Sequence, residues 1–122
     1  QHKGARFMCL VVKSGPHRAK SDIKVLKVLT CYNVAPYWDF IYHPNCTYRL
    51  RKRLRLVRTQ CRTGIQEGFH SFADKKCVYY PSHVDTKLVE MVIPRGATYY
   101  KGDLGDLVST SIRTGDLKPC EN

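Results

Sequence analysis

The stretch Ile23-Lys-Val-Leu-Lys-Val-Leu-Thr-Cys31 is rich in β-branched and apolar residues, a composition that predicts a β-strand. A continuous apolar run at Phe7–Val12 predicts another, buried strand. That strand is expected to break at Ser14-Gly15-Pro16, and a basic polar loop is expected to follow as far as Ser21. Further strands are predicted at Leu88–Ile93, Ala97–Tyr100 and Leu107–Arg113.

One helix is expected among these strands. Ser71 is followed three residues later by Asp74, which resembles a capping box with Asp in place of Glu. The helix would cover Ala73–Tyr80 and end before Pro81. Strands combined with one or two short helices predict the α+β class, with a small and mostly antiparallel sheet.

The 122 residues are predicted to form a single domain, large enough to fold without a metal or a disulfide. Residues 1–22 are expected to be peripheral or loosely ordered, and residues 115–122 to form a flexible tail. No apolar run approaches the roughly 18 residues of a membrane span, so no membrane partner is predicted. The oligomeric state stays open.

Basic charge is concentrated in the first half of the chain. The net charge is +11, and Lys and Arg outnumber Asp and Glu by 14 to 2 in residues 1–66, against 7 to 8 in residues 67–122. No acidic residue occurs from Phe40 to Gln66. This asymmetry favours contact with a polyanion. The alternative is a solvated basic face, in which Glu would normally be interspersed.

The decapeptide Tyr48-Arg-Leu-Arg-Lys-Arg-Leu-Arg-Leu-Val57 is the centre of this basic half. A strand would direct its leucines inward and its arginines outward, with roughly 6.6–6.8 Å between alternate residues, close to the phosphate spacing of an extended nucleic acid. A helix would place Leu50, Leu54 and Val57 on one face. Either geometry gathers at least four guanidinium groups on one surface. The predicted polyanion-binding residues are Arg49, Arg51, Lys52, Arg53, Arg55, Arg58 and Arg62.

Six cysteines occur, without a Cys-x-x-Cys motif or zinc-finger spacing, so no metal site is predicted. Cys9 and Cys31 lie in apolar strand-like runs, where a buried free thiol behaves as a small hydrophobe. This favours reduced cysteines and a cytoplasmic protein. The alternative is a secreted protein with three disulfides, for which the sequon Asn45-Cys46-Thr47 is a further, weak sign. No glycine-rich phosphate loop is present in the sequence, and no cofactor is predicted.

His70 is the best catalytic candidate, although a weak one. It lies between two phenylalanines, just before the predicted start of a helix, where an anion would be favoured. The alternative is a histidine hydrogen-bonded at the edge of the core. Aromatic side chains near basic ones can stack on a base, although packing is their commoner role. The candidates for stacking or for a pocket are Trp38, Tyr99, Tyr100 and Arg95.

Three motifs occur in a recognisable order: Gly68-Phe-His-Ser-Phe72, Ile93-Pro-Arg-Gly-Ala-Thr-Tyr-Tyr100 and Val108-Ser109. Their order resembles small uncharacterised proteins of tailed phages and their bacterial hosts. Lys24–Leu29 and Ala35-Pro36-Tyr37 also resemble segments of those chains. The resemblance implies a cytosolic, reduced protein of the host cell with a host-directed or anti-defence binding role, and it assigns no activity to any residue.

The sequence therefore favours a non-enzymatic protein that binds nucleic acid or another phosphate-bearing partner through its arginines. One alternative is a protein that binds a small nucleotide in a pocket joining arginines with Tyr99 or Tyr100. Another is a secreted, disulfide-bonded basic nuclease, which would require a paired histidine site.

Overall fold

The computed structural model describes residues 10–36, 39–58, 62–78 and 85–120. The described residues are nearly all β, with 59% in strands and 3% helical. The strands are β1 (Leu10–Arg18), β2 (Ile23–Thr30), β3 (Val34–Ala35), β4 (Phe40–Ile41), β5 (Thr47–Arg49), β6 (Val57–Arg58), β7 (Thr63–Ile65), β8 (Phe69–Phe72), β9 (Thr86–Ile93), β10 (Thr98–Gly102), β11 (Asp106–Ser109) and β12 (Ser111–Pro119).

The predicted α+β class is wrong. Within the described residues, the single helical piece is a 3-10 turn at Lys75–Cys77, in place of the helix expected over Ala73–Tyr80. Ser71 lies inside β8 instead of capping a helix. Asp74 is the cap, because its carboxylate accepts a hydrogen bond from the Lys76 amide at 2.9 Å. Residues 79–84, where the helix was expected to end, lie outside the described residues.

Ten strands form one antiparallel sheet in the order β5-β12-β9-β2-β8-β11-β10-β1-β7-β6, and β3 and β4 form a separate hairpin. β11 and β12 are four positions apart in this order, although only Thr110 separates them along the chain. Four strand spacings correspond to about 19 Å in a flat sheet, more than a two-residue step can cover. The strands β12, β9, β2, β8 and β11 therefore curl into a ring that the chain itself closes at Thr110.

The two edge strands of the sheet are also joined directly. Residues 50–56 connect β5 at one edge to β6 at the other. A flat ten-stranded sheet would separate these edges by roughly 43 Å. Eight peptide units span at most about 28 Å. The sheet must therefore fold back on itself, and the basic segment crosses the opening between its edges.

The main core fills the inside of the ring. Residues on alternate positions of each strand supply it, as a two-residue side-chain period requires. Its fully buried members include Val25 and Leu29 of β2, Val89, Met91 and Ile93 of β9, and Ile112 of β12. Phe69 of β8 and Leu107 of β11 belong to the same core and are slightly more exposed. A second, smaller cluster of Leu10, Ile65, Tyr100 and Val108 covers another face of the sheet.

Both ends of the described chain are more regular than the sequence suggests. β1 continues through Gly15 and Pro16 to Arg18, with register shifts against β10 instead of the expected break and loop. Leu10 belongs to the stretch that was expected to be peripheral, but it is fully buried, because β1 lies between β10 and β7 in the sheet. β12 runs past Gly115 to Pro119, where a flexible tail was expected, because Leu117 is buried in the main core.

Candidate functional site

The segment from Arg49 to Arg58, called the arginine segment below, is neither the continuous strand nor the helix that its sequence suggested. Its two ends belong to β5 and β6, and residues 50–56 have no regular structure. The Leu50 amide donates a hydrogen bond to the Thr110 carbonyl at 2.8 Å, at the point where the ring closes. Leu50 packs against the main core, and Leu54 packs against the smaller cluster. Two leucines therefore hold the segment while its polar side chains face solvent.

Every arginine of the arginine segment is exposed. The two ion pairs among the described residues are Lys52–Glu67 and Arg113–Asp22, so no carboxylate in that part of the chain lies within 4 Å of these five guanidinium groups. Lys52 differs, since its amine is 2.9 Å from Glu67. Arg62, the last of the predicted set, is exposed just before β7. The predicted binding residues thus include five cations that no described carboxylate neutralises within 4 Å.

A basic cavity of about 610 Å³ lies where the arginine segment meets β1 and β10. Arg18 and Arg53 line it together with His17 and Tyr100, and none of the described residues that line it is acidic. His17 is fixed in place, because its Nε2 lies 2.9 Å from the Ser14 hydroxyl and its ring rests on Tyr99 at 5.2 Å. Arg53, a predicted polyanion-binding residue, and Tyr100, a predicted pocket residue, therefore line the same cavity.

The remaining stacking candidates are placed differently. Tyr99 faces away from the adjacent Tyr100 and packs against the main core. Arg95 lies in the turn between β9 and β10, where its amide donates to Asp22 at 2.9 Å, and it does not line the basic cavity. Arg113 donates to the same carboxylate and, with Arg95, holds its pKa below the ordinary value. Trp38 lies outside the described residues.

A second cavity, of about 380 Å³, is walled by aromatic rings and was not predicted from the sequence. Phe40 and Tyr42 come from the hairpin β3–β4 and its exit, Tyr48 from β5 and Phe69 from β8. Successive rings meet edge to face, with centroids 4.8 Å apart for Phe40–Tyr42 and 5.3 Å apart for Tyr42–Tyr48. Edge-to-face contacts give such rings a fixed arrangement. We call this volume the aromatic cavity.

Lys27 lies at the buried end of the aromatic cavity. It sits between Val25 and Leu29 on the inner face of β2, and only 5% of it is exposed. Its amine donates a hydrogen bond to the His70 carbonyl and is 5.7 Å from the centre of the Tyr42 ring. Burial lowers the pKa of Lys27 to about 8. The amine is therefore still mainly protonated at pH 7, and the His70 carbonyl and the ring face of Tyr42 compensate its charge in part.

His70 is buried in β8, with 5% of its surface exposed. Its Nε2 donates to the Gln66 carbonyl at 2.7 Å. Burial, together with the nearby charge of Lys27, lowers the pKa of His70 to about 4, so the ring is neutral at pH 7. The surroundings are those of a packed histidine, and the role of His70 as a catalytic group stays a prediction.

The cysteines of the described chain are free thiols: Cys31, Cys46, Cys77 and Cys120. Cys31 is exposed just after β2, whereas the sequence suggested a buried position. Cys9 and Cys61 lie outside the described residues. Within the described ranges, no three His, Cys, Asp or Glu side chains are grouped so that they could hold a metal ion.

Taken together, the fold and its cavities define a small all-β protein with a chain-closed ring, a basic cavity and an aromatic cavity. The chain matches no protein-family model, no curated protein and no solved structure. Among the described residues, no helix has the length and apolar character needed to cross a membrane.

Proposed function

We propose that this protein binds the phosphate backbone of single-stranded nucleic acid through the arginine segment. The observation that carries the proposal is the set of five exposed arginines at positions 49, 51, 53, 55 and 58, with no carboxylate of the described chain within 4 Å. A guanidinium group without an internal partner is available for a bidentate contact with phosphate. Contacts of this kind position a nucleic acid without reading its sequence.

The way in which the segment is held supports this role. Leu50 and Leu54 fix the backbone against two packed clusters, so the arginines are attached to an ordered surface. The basic cavity beside Arg53, with a volume of about 610 Å³, offers room for a base. The proposed partner is therefore a single strand, whose bases are free to enter such a cavity.

Fluorescence anisotropy with a labelled single-stranded DNA oligonucleotide tests the proposal as salt is varied. Changing Arg49, Arg51, Arg53 and Arg55 together to Gln should weaken binding and lower the slope of log K against log salt by up to about 3. The matched control removes the same charge elsewhere, by changing the exposed residues Lys24, Lys76, Lys101 and Lys118 to Gln. The proposal fails if both quadruple variants lose affinity equally, or if the arginine variant loses none.

A second candidate function, binding of a free nucleotide, is favoured by the composition of the basic cavity. Arg18 and Arg53 face one volume of about 610 Å³ without any acidic lining. A nucleoside monophosphate would place its phosphate between these two arginines. Calorimetric titration with a nucleoside monophosphate distinguishes the two functions. A free nucleotide should bind with weak salt dependence and lose affinity in the Arg18→Gln variant, whereas Arg51→Gln, outside the cavity, should leave it unchanged.

A further inference from the structure

Lys27 is an unusual residue for the inside of a ring. A buried ammonium is costly unless a counter-charge or a full set of acceptors compensates it. No carboxylate of the described chain lies within 4 Å of its nitrogen. The ammonium group has three N–H donors, and the His70 carbonyl is the single hydrogen-bond acceptor that the described residues offer it. Two donors and one full positive charge therefore remain for another group.

A second buried polar group, in β8, lacks a hydrogen-bond partner within the described chain. The Ser71 hydroxyl, 1% exposed, has no hydrogen-bond partner among the described residues. Ser71 shares its face of the strand with Phe69, which lines the aromatic cavity. Buried polar groups are nearly always hydrogen-bonded, so the Ser71 hydroxyl and the remaining donors of Lys27 call for a ligand or solvent.

The walls of the aromatic cavity restrict the chemistry of such a ligand. Phe40, Tyr42, Tyr48 and Phe69 present rings around a volume that suits a small planar molecule. The rim carries one further cation, Arg49, and one anion, Glu67. Glu67 is paired with Lys52 and Arg49 is exposed to solvent, so Lys27 supplies the one buried positive charge of the lining, which matches a single negative charge.

We infer that the aromatic cavity binds a small aromatic monocarboxylate, with its carboxylate on the Lys27 amine and its ring among Phe40, Tyr42 and Phe69. The carboxylate would accept the N–H donors that the protein leaves unused. This site shares Arg49 with the proposed nucleic-acid surface, but the inference does not depend on that function.

Titration of the 122-residue protein with 2-naphthoate, followed by the fluorescence of the ligand and by calorimetry, tests the inference. We expect saturable binding at one site. The neutral analogue 2-naphthamide has the same ring and should bind at least tenfold more weakly, and inorganic phosphate should not compete. Equal binding of the acid and the amide would overturn the inference, as would an absence of saturable binding by the wild type.

Substitutions locate the site. Lys27→Met should reduce affinity for 2-naphthoate at least tenfold, whereas Lys24→Met, an exposed lysine of the same strand, should leave affinity unchanged. Because Lys27 is buried, a thermal melt must show that its variant folds. Phe40→Ala should also reduce affinity for 2-naphthoate, and it leaves Lys27 unchanged. Phe40 is 39% exposed at the cavity mouth. Equal losses in Lys24→Met and Lys27→Met, or full affinity in Phe40→Ala, would contradict the assignment.

Discussion

At the scale of single residues, the described interior holds two basic groups that are connected through one hydrogen bond. Lys27 donates to the backbone carbonyl of His70, and each is 5% exposed. Burial lowers the pKa of both side chains. Both therefore bind protons more weakly in the folded state than in the unfolded chain, and both make stability depend on pH. The two effects fall in separate pH ranges because the folded pKa values differ.

The stability of the protein should fall as His70 is forced to accept a proton. The pKa of His70 is about 4 in the folded state, against an ordinary value of 6.5, so the stabilisation is complete above pH 6.5 and is lost as pH falls toward 4. Between pH 7 and pH 5 we expect a loss of about 2 kcal/mol in the free energy of unfolding. Urea denaturation of the wild type and of His70→Gln at both pH values measures it. Identical pH dependence in the two proteins would refute the expectation.

Lys27 acts on stability at alkaline pH. Its pKa is about 8 when folded and near 10.5 when unfolded, so the unfolded chain binds more protons between these values and stability rises with pH. Relative to Lys27→Met, the wild type should gain roughly 2 kcal/mol between pH 7 and pH 10. The measurement is the difference in unfolding free energy between the two proteins at each pH. A constant difference would mean that the amine is solvated in the folded state.

At the scale of elements, the arginine segment shows how a stretch without regular structure is held in place. Of the side chains that alternate with its exposed arginines, only Leu50 and Leu54 reach the interior, and only the ends of the segment are paired with neighbouring strands. Leu50 and Leu54 attach it to different clusters, while Leu56 is 45% exposed. The position of the charges therefore depends on two leucine contacts.

Replacing Leu54 or Leu56 with Ala should lower the free energy of unfolding by different amounts. Leu54 is half-buried against Val108 and its neighbours in the smaller cluster, so Leu54→Ala should destabilise the fold by about 1–3 kcal/mol. Leu56→Ala, the matched control, should cost less than about 1 kcal/mol because that side chain is exposed. Denaturant unfolding of the two variants gives the comparison. Equal costs would show that Leu54 is not an anchor.

At the scale of the whole molecule, the net charge of +11 acts on stability as well as on partners. Unpaired like charges repel one another in the compact state, and salt screens that repulsion over a distance of about 10 Å at 0.1 M. The melting temperature of the wild type should therefore rise as salt is added. The variant with Gln at positions 49, 51, 53 and 55 should melt higher at low salt and gain less from added salt. A thermal melt series in sodium chloride measures both slopes.

Local sequence signals were sufficient for the long strands. The predicted strand Ile23–Cys31 is confirmed as β2, Ile23–Thr30, because its β-branched and apolar residues pack well on a pleated, largely buried sheet. Leu88–Ile93 lies within β9 for the same reason. The predicted helix is wrong: its described residues form only one short 3-10 turn, at Lys75–Cys77. Ser71 does not cap a helix because it pairs with Leu107 in the sheet.

The candidate site was less accessible to sequence reasoning. Its exposed arginines are predicted from charge alone, but no role for Lys27 follows from the strand pattern alone. A signal was present: on a strand, Lys27 shares its face with Val25 and Leu29, so an inward-facing Val and Leu imply an inward-facing lysine. The aromatic rings around it come from β4, β5 and β8, which are distant in the chain.

The sequence by itself determined the concentration of positive charge in residues 1–66 and the extended backbone of β2 and β9. Charge and local backbone preference belong to residues and their immediate neighbours, so they can be derived without knowledge of contacts. Tertiary structure alone decided the closure of the ring at Thr110, the crossing of the arginine segment and the enclosure of Lys27 by aromatic rings. These features depend on contacts between segments that are far apart in the chain, and the free energy of such contacts cannot be derived from either segment alone.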